Sequence, residues 1–316
     1  MHRYRAYGEL TGVPHVVVDG SGQDGTVLTL SHWPGMPTPD DLRRDLSAEI
    51  AFAYVDHPEH RVDAEFVTNN HHDQDGLVSV FALTEPDAAL ARRDRLIDIA
   101  RAGDFGTFRE RDAARAAIAI ANLEDAIDGD AYPELLGRLP ELADHPDRYR
   151  EHWGDEDDHI SATEAAIADG TITITEDPAL DLAVVHVPES WRARTVHRFT
   201  MTDQGVAHPF AVFNATERFV VVTVGGAVPD LRYRYETWVH YVSTRPRPRV
   251  ELTALADELT AADGAPGRWA FDGVEGLSPA LHHVGGDATT VTDDDFVARV
   301  TAALRAAAST WSPYPD

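Results

Sequence analysis

Short apolar runs alternate with amphipathic segments in the first half of the chain. Three runs rich in β-branched residues predict buried strands: HVVVDG (15–20), TVLTLSH (26–32) and AEFVTN (64–69). Helical periodicity or helix-start residues predict helices over 38–55, 77–85, 87–103 and 109–127. The first of these has Thr38 as its cap and Ser47 as a second possible start. Alternation of strands and helices predicts a parallel sheet covered by helices.

The pattern changes after residue 170. Strands are predicted at 171–176, 180–187, 218–224 and 231–242, and helices at 250–262 and 293–308. Residues 121–170 contain 15 acids against 3 arginines and are interpreted as short solvated helices that bridge two domains. We therefore predict an α/β domain over 1–155 and a smaller, mixed α+β domain over 156–316, a candidate cap over a substrate.

A group of polar side chains lies where a predicted strand gives way to a helix, in FVTNNHHDQDGLVSVFAL (66–83). His71, Asp73 and Asp75 alternate, so an extended loop would place them on one side. Ligands of open parallel sheets bind beyond the carboxyl ends of the strands. Imidazole with carboxylate favours manganese, iron or zinc over magnesium or calcium. The segment predicts a divalent metal site; the alternative is a capped turn whose polar groups bind backbone amides.

The segment HHDQDG (71–76) resembles the first motif, H-x-D-x-D-G, of the DHH phosphoesterase superfamily. The resemblance implies a DHH-like domain in which His71, Asp73 and Asp75 ligate one or two manganese ions. It also implies hydrolysis of a phosphoester or phosphoanhydride. The Asp-His-His triplet that names the superfamily occurs nowhere in the chain, so other residues would complete the second ion site, or one ion is lost.

The wider pattern is similar to that of an uncharacterised bacterial family. The segments that carry this likeness are Ser-His-Trp-Pro (31–34), Asn-His-x-Asp-x-Asp-Gly (70–76), Gly-Asp-Phe (103–105) and Arg-Tyr-Glu-Thr-Trp-Val (234–239). They span most of the chain. This likeness implies no established activity.

His32 and Asp104 are candidates for the missing ligands. His32 ends the strand 26–32, and Asp104 follows the helix 87–103 in a glycine-flanked loop. We predict that they ligate metal or orient water, and that Asp75 and Asp104 are catalytic. The alternatives are a loop histidine stacked near Trp33 and an ordinary helix-end residue.

An arginine-rich stretch, 230–250, holds 5 arginines and 2 acids in an otherwise acidic chain. Guanidinium groups bind phosphate by paired hydrogen bonds. The predicted substrate-binding residues are Arg232, Arg234, Arg245 and Arg247. The alternative is that these arginines pair with nearby acids.

Composition narrows the classes of function. The formal net charge of −27 and the lack of lysine disfavour nucleic acid and anionic membranes as partners. Without cysteine there are no disulfides and no thiolate ligands. No apolar run reaches the ~18 residues of a membrane span, so we expect a cytoplasmic protein. The predicted function is metal-dependent hydrolysis of a small phosphorylated molecule; the alternative is a non-catalytic metal- or ligand-binding protein that retains the fold.

Overall fold

The structure, a computed structural model, describes residues 2–196, 204–226, 228–286 and 288–314, which form two compact units. The first unit contains residues 2–157 and Val239–Arg245; the second contains the other described residues. The sequence predicted two consecutive segments, and the structure differs from this by returning Val239–Arg245 to the first unit. Hydrogen bonds hold this segment there, since Val242 N and Ser243 N both donate to Asp45 Oδ1 at 2.7 and 2.8 Å.

A parallel sheet lies at the centre of the first unit. Its strands are β1 (Arg3–Tyr4), β2 (His15–Val18), β3 (Thr26–Leu30) and β4 (Phe66–Thr68). Among the described residues their order is β1-β4-β2-β3, and every pairing is parallel. Val16, Val17 and Val18 are fully buried, as expected for a strand covered on both faces. The predicted α/β class with a parallel sheet is confirmed, and the carboxyl ends of these strands share one edge.

Helices α1 (Ser47–Asp56) and α2 (Gln74–Thr84) pack on this sheet, and further helices pack on them. The bounds of the remaining helices are α3 (Pro86–Leu90), α4 (Arg93–Phe105), α5 (Arg111–Glu124), α6 (Tyr132–Asp144) and α7 (Arg150–Ala168). The residues of α7 are divided between the two units. The prediction of only short helices over 121–170 was wrong, because α7 runs for 19 residues.

Two helix boundaries near the strand ends differ from prediction. Helix α1 begins at Ser47, the second start that the sequence offered, and the signals at Thr38 lead only into a 3-10 turn, Asp40–Leu42. Helix α4 continues through Asp104 to Phe105 and ends at Gly106, which has a left-handed φ of 65°. Asp104 therefore lies in the last turn of a helix and not in the predicted loop.

The second unit is built on a mixed sheet. Its strands, in the order β12-β13-β10-β9-β6-β5, are β5 (Thr173–Asp177), β6 (Leu182–Val187), β9 (Val220–Gly225), β10 (Asp230–Tyr233), β12 (Arg268–Phe271) and β13 (Ala280–Val284). Only β6 and β9 pair in parallel among these described strands. Two small pairs join β7 (Arg194–Thr195) to β8 (Gln204–Gly205) and β11 (Arg249–Val250) to β14 (Thr310–Trp311).

The helices of the second unit are α8 (Pro209–Ala215), α9 (Thr253–Ala262) and α10 (Asp293–Ala306). Val222, Leu231 and Phe296 are fully buried in its core. The mixed α+β character is therefore confirmed. The strand predicted over 231–242 ends at Tyr233, because the chain turns into a 3-10 segment where Arg234 pairs with Glu236 inside the protein.

Candidate metal centre

The carboxyl edge of the parallel sheet gathers histidines and aspartates from three strands. Asp19 follows β2, His32 follows β3, and His71 and Asp73 follow β4. Asp75 lies in the first turn of α2, for which Asp73 is the N-cap. Residues distant in sequence therefore meet at the edge where a ligand of such a sheet is expected.

Two groups of potential ligands share Asp19. One is Asp19, His32 and Asp75; the other is Asp19, His71 and Asp73. Within each group the ligand atoms lie within 4.8 Å of one another. All of these side chains are buried except His71, which is partly exposed. Imidazole nitrogen and carboxylate oxygen together form a donor set suited to manganese, iron or zinc.

The His32 ring is oriented by the backbone. Its Nδ1 lies 2.7 Å from the carbonyl oxygen of Asp45, which assigns the proton to Nδ1. Nε2 then faces Asp19 Oδ1 at 3.4 Å, Asp75 Oδ2 at 3.8 Å and Asp104 Oδ2 at 3.5 Å. Ligand atoms around one cation, each about 2.1 Å from it, are separated by roughly 3 to 3.5 Å. A ring held through Nδ1 is also the usual support of a metal-binding histidine.

His71 forms the second group. Its Nε2 lies 2.9 Å from Asp73 Oδ2 and 3.4 Å from Asp19 Oδ2. Its ring stacks on Trp33, with centroids 5.1 Å apart. Asp73 accepts the Gly76 amide with its other oxygen, Oδ1, at 2.7 Å. Capping and the contact with His71 thus use different oxygens of one carboxylate.

The capped turn that was the alternative interpretation is also present. Both oxygens of Asp75 accept amides at the start of α1, from Ser47 at 2.8 Å and Ala48 at 2.7 Å. Ser47 Oγ donates to Asp19 Oδ1 at 2.8 Å. Each carboxylate oxygen can accept more than one interaction, so these hydrogen bonds orient the carboxylates and leave them able to bind a cation. The dipole of α1 also stabilises the negative charge of Asp75.

Charges in the cluster shift its protonation. Burial, reinforced by the charge of Asp19, raises the pKa of Asp75 well above its ordinary value. Burial opposes ionisation of Asp19 as well, but hydrogen bonds to His32 and His71 hold the pKa of Asp19 below its ordinary value. Burial lowers the pKa of His71, but the charges and hydrogen bonds of Asp73 and Asp19 together outweigh it and raise the pKa to about 11. The carboxylates therefore favour positive charge among them, which protons or a cation can supply.

Two glycines allow neighbouring amides to pack against the cluster. A Cβ on Gly20 would lie 2.1 Å from Asn70 Oδ1, and a Cβ on Gly76 would lie 2.0 Å from Asn69 Nδ2. No side chain fits at either position without displacing an asparagine. Asn69 Oδ1 in turn accepts the His71 amide at 3.0 Å, which fixes the loop that carries this histidine.

The structure brings together five residues singled out from the sequence: His32, His71, Asp73, Asp75 and Asp104. Sequence reasoning missed Asp19, the residue that the two groups share. Its signal was an aspartate directly after the buried run HVVV, at the carboxyl end of a central strand. Asp19 also has a positive φ of 44°, a strained conformation that concentrates at functional sites.

The predicted substrate-binding arginines are divided between the two units. Arg245 is exposed in the first unit. In the second unit, Arg234 is buried, pairs with Glu236 and lies 4.5 Å from the ring centre of Phe213. Arg232 is half-buried, and its NH2 is 3.9 Å from an oxygen of Asp230; Arg247 is exposed and donates to a backbone carbonyl. Their role in substrate binding stays a prediction.

Fold and site together define an α/β protein with a buried histidine–aspartate cluster at the carboxyl edge of a parallel sheet. The chain belongs to a family of unknown function (DUF6687), whose model matches residues 1–315. This confirms the predicted likeness to an uncharacterised family. No curated protein and no solved structure matches the chain. Among the described residues, no helix combines the length and apolar character needed to cross a membrane.

Proposed function

We propose that the protein is a metal-dependent hydrolase of a small phosphoester or phosphoanhydride, with two divalent ions held by a shared aspartate. The observation that carries the proposal is the orientation of Asp19. Its Oδ1 faces His32 and its Oδ2 faces His71, each 3.4 Å away. One carboxylate between two histidine–aspartate pairs could be shared by two neighbouring ions, as in two-metal catalytic sites.

Each proposed ion has its own ligands. His32 and Asp75 would hold one ion with Asp19 Oδ1, and His71 and Asp73 would hold the other with Asp19 Oδ2. Three protein ligands leave positions for water and substrate, as in catalytic metal sites. Among manganese, iron and zinc, which imidazole and carboxylate ligands favour, we propose manganese. When bound, such ions lower the pKa of a coordinated water toward ~7 and neutralise phosphoryl oxygens.

Protein residues have distinct roles in this proposal. His32 keeps its proton on Nδ1 through the Asp45 carbonyl, so Nε2 remains a ligand atom. Asp75 is fixed by two helix amides, and its placement therefore depends on α1. Asp104 Oδ2, 3.5 Å from His32 Nε2, is proposed to orient the attacking water or to complete the ligands around His32. The DHH-like identity of the fold is part of the same proposal.

The alternative function is metal or ligand binding without catalysis. It is favoured by the missing Asp-His-His triplet and by the hydrogen bonds that already engage both oxygens of Asp75. The two functions differ in the number of ions bound and in turnover. They can therefore be separated by one set of measurements.

Metal content after dialysis against manganese, with turnover of bis(4-nitrophenyl) phosphate, tests the proposal. We expect two equivalents per chain and manganese-dependent hydrolysis. His71→Gln should lose one equivalent, and Asp19→Asn should lose both. One equivalent in the parent protein without turnover of a phosphoester panel supports the alternative. Two equivalents retained by His71→Gln would overturn the ligand assignment.

A matched control uses another buried aspartate of the first unit. Asp98 lies in α4 and accepts the amides of Arg109 and Glu110, away from both ligand groups. Asp98→Asn should weaken these hydrogen bonds but preserve both equivalents of metal. Melting temperatures of all variants show whether a loss of metal reflects a loss of folding.

A further inference from the structure

A cavity of about 440 Å³ lies beside the cluster in the first unit, over the carboxyl ends of β1 and β4. His71 forms part of its wall. The cavity and the cluster therefore occupy neighbouring positions along one edge of the sheet. A molecule that placed one group among the aspartates could place another group in this cavity.

Aromatic rings and carboxylates dominate the cavity wall. Tyr4 and Tyr132 stack with centroids 4.8 Å apart, and Glu124 and Asp130 add negative charge. None of the lining residues, all of which are described, is an arginine, and the chain has no lysine. Aromatic faces and carboxylates attract cations with N–H donors, and such a wall repels a second phosphate.

Polar atoms in this wall have capacity for a ligand. His72 is nine-tenths buried; its Nδ1 lies 2.8 Å from Glu124 Oε2, and its Nε2 has no hydrogen-bond partner among the described residues. Asn69 Nδ2, also buried, likewise lacks a partner within the described part of the chain. Buried polar atoms are costly to leave unpaired. They are an observation independent of the charge of the wall: His72 Nε2 can accept from an N–H donor, and Asn69 Nδ2 can donate to a hydroxyl oxygen.

The cavity is coupled to the metal-binding loop by one side chain. Tyr132 forms part of the wall, and its hydroxyl donates to the backbone oxygen of His71 at 3.1 Å. The Tyr132 amide and the Tyr4 hydroxyl both bind Asp130, at 3.0 and 2.8 Å, so the carboxylate is fixed in place. A group bound in the cavity would thus contact Tyr132, which also positions His71.

We propose that this cavity binds the leaving-group portion of the substrate, and that this portion carries a protonated amine. The inference rests on the proposed hydrolase function. In the reaction, water adds to phosphorus, the bond from phosphorus to the ester oxygen breaks, and the amino alcohol leaves with a proton. No oxidation or reduction is involved. The substrate class is a phosphate monoester of an amino alcohol.

Direct binding tests the cavity without relying on turnover. Ethanolamine is titrated calorimetrically into the full chain prepared without metal, beside glycerol as the uncharged comparison. We expect saturable binding of ethanolamine and none of glycerol. Glu124→Gln and Asp130→Asn should each weaken it roughly tenfold. The control Glu134→Gln, which removes an exposed acid of α6 that pairs with Arg138, should leave it unchanged.

Turnover distinguishes this inference from the function on which it rests. With manganese, 2-aminoethyl phosphate should have a lower KM than its trimethylammonium analogue and than glycerol 3-phosphate. Glu124→Gln should remove that preference without changing metal content. If hydrolysis occurs with no preference for the amine, the inference is wrong and the hydrolase proposal stands. If ethanolamine fails to bind, the inference is wrong, and the hydrolase proposal is decided by turnover alone. If ethanolamine binds and Glu124→Gln weakens it but no phosphoester is hydrolysed, the cavity assignment stands and the proposed function is wrong.

Discussion

The Ser47 amide donates a 2.8 Å hydrogen bond to Oδ2 of Asp75, a residue 28 positions later in the chain. The neighbouring Ala48 amide donates to the other oxygen at 2.7 Å. A residue of the candidate metal centre therefore satisfies the two amides that begin α1. The same two hydrogen bonds therefore fix both the start of α1 and the position of a proposed metal ligand.

Asp75→Ala should destabilise the protein even without metal. The change leaves two amides at the start of α1 without their acceptor, and each buried unsatisfied group costs about 1–3 kcal/mol. Urea unfolding of the metal-free protein measures this cost. The comparison variant is Ser47→Ala, which keeps both amide bonds and removes the hydroxyl that donates to Asp19 and accepts the His32 amide. Equal stability of Asp75→Ala and the parent protein would show that the carboxylate does not cap α1.

Gly76→Ala should weaken metal binding although alanine favours helices. The new Cβ would lie 2.0 Å from Asn69 Nδ2 and 2.6 Å from the Tyr132 hydroxyl, so the loop holding His71 must move. Loss of such support around ligands costs about 10- to 100-fold in metal affinity. Manganese titration of the two proteins measures the difference.

The matched control for Gly76→Ala is Gly137→Ala, at a helical glycine with nothing within 4 Å of the new Cβ. It should stabilise the protein by about 0.5–1 kcal/mol and leave metal affinity unchanged. Equal metal affinity in the Gly76 and Gly137 variants would show that the close packing of Asn69 and Tyr132 against Gly76 does not support metal binding.

The sequence predicted what depends on local pattern. The apolar runs at 15–20 and 26–32 located β2 and β3, and the motif at 71–76 located His71 and Asp73 at the sheet edge. The start of α1 was left between Thr38 and Ser47, because Asp75, the acceptor of its first amides, is remote in sequence. Asp19 was missed for a related reason: its partners belong to other strands, and only the sheet order brings them together.

The roles of the arginines were also hard to predict, because their partners too are remote in sequence. Arg249 is fully buried, and its guanidinium donates to backbone carbonyls, two of them Val274 and Leu277 at 2.7 Å. Nothing in the run Arg-Pro-Arg-Pro-Arg distinguishes it from its exposed neighbour Arg247. We expect Arg249→Lys to destabilise the second unit by about 1–3 kcal/mol, because an ammonium cannot reproduce the planar set of donors. Thermal unfolding measures this loss; the control Arg247→Lys should have little effect, and equal losses in both variants would contradict the assignment.

Metal affinity should rise with pH. In the metal-free protein, burial lowers the pKa of His71, but Asp73 and Asp19 together raise it to about 11, so a cation must displace the proton from His71. Calorimetric titrations of manganese in buffers of different ionisation enthalpy, from about pH 6 to about pH 9, give the number of protons released. No proton release, or an affinity independent of pH, would show that the cation does not displace the proton of His71.

Stability of the metal-free protein should follow the opposite trend. The folded-state pKa of His71 lies above its ordinary value of 6.5, so its contribution to stability is fully present below pH 6.5. That contribution is lost as pH rises toward about 11. The parent protein should therefore lose more stability across this range than His71→Gln, as measured by urea unfolding without metal. If both proteins lost the same stability across this pH range, the charge interaction between His71 and Asp73 would be contradicted.

A comparison of Asp104 with Asp98 separates a role in catalysis from a role in folding. Both are buried aspartates of α4, but they have different partners. Asp104 Oδ2 faces His32 Nε2 at 3.5 Å, whereas Asp98 accepts the amide of Arg109. If Asp104 orients the attacking water, Asp104→Asn should lower kcat by about 10²- to 10⁴-fold with little change in KM or stability. Asp98→Asn should instead lower the melting temperature and leave kcat within about twofold of the parent value. Should Asp104→Asn instead release one equivalent of manganese, Asp104 is a ligand of the ion at His32. Unchanged kcat and unchanged metal content in Asp104→Asn would exclude both roles.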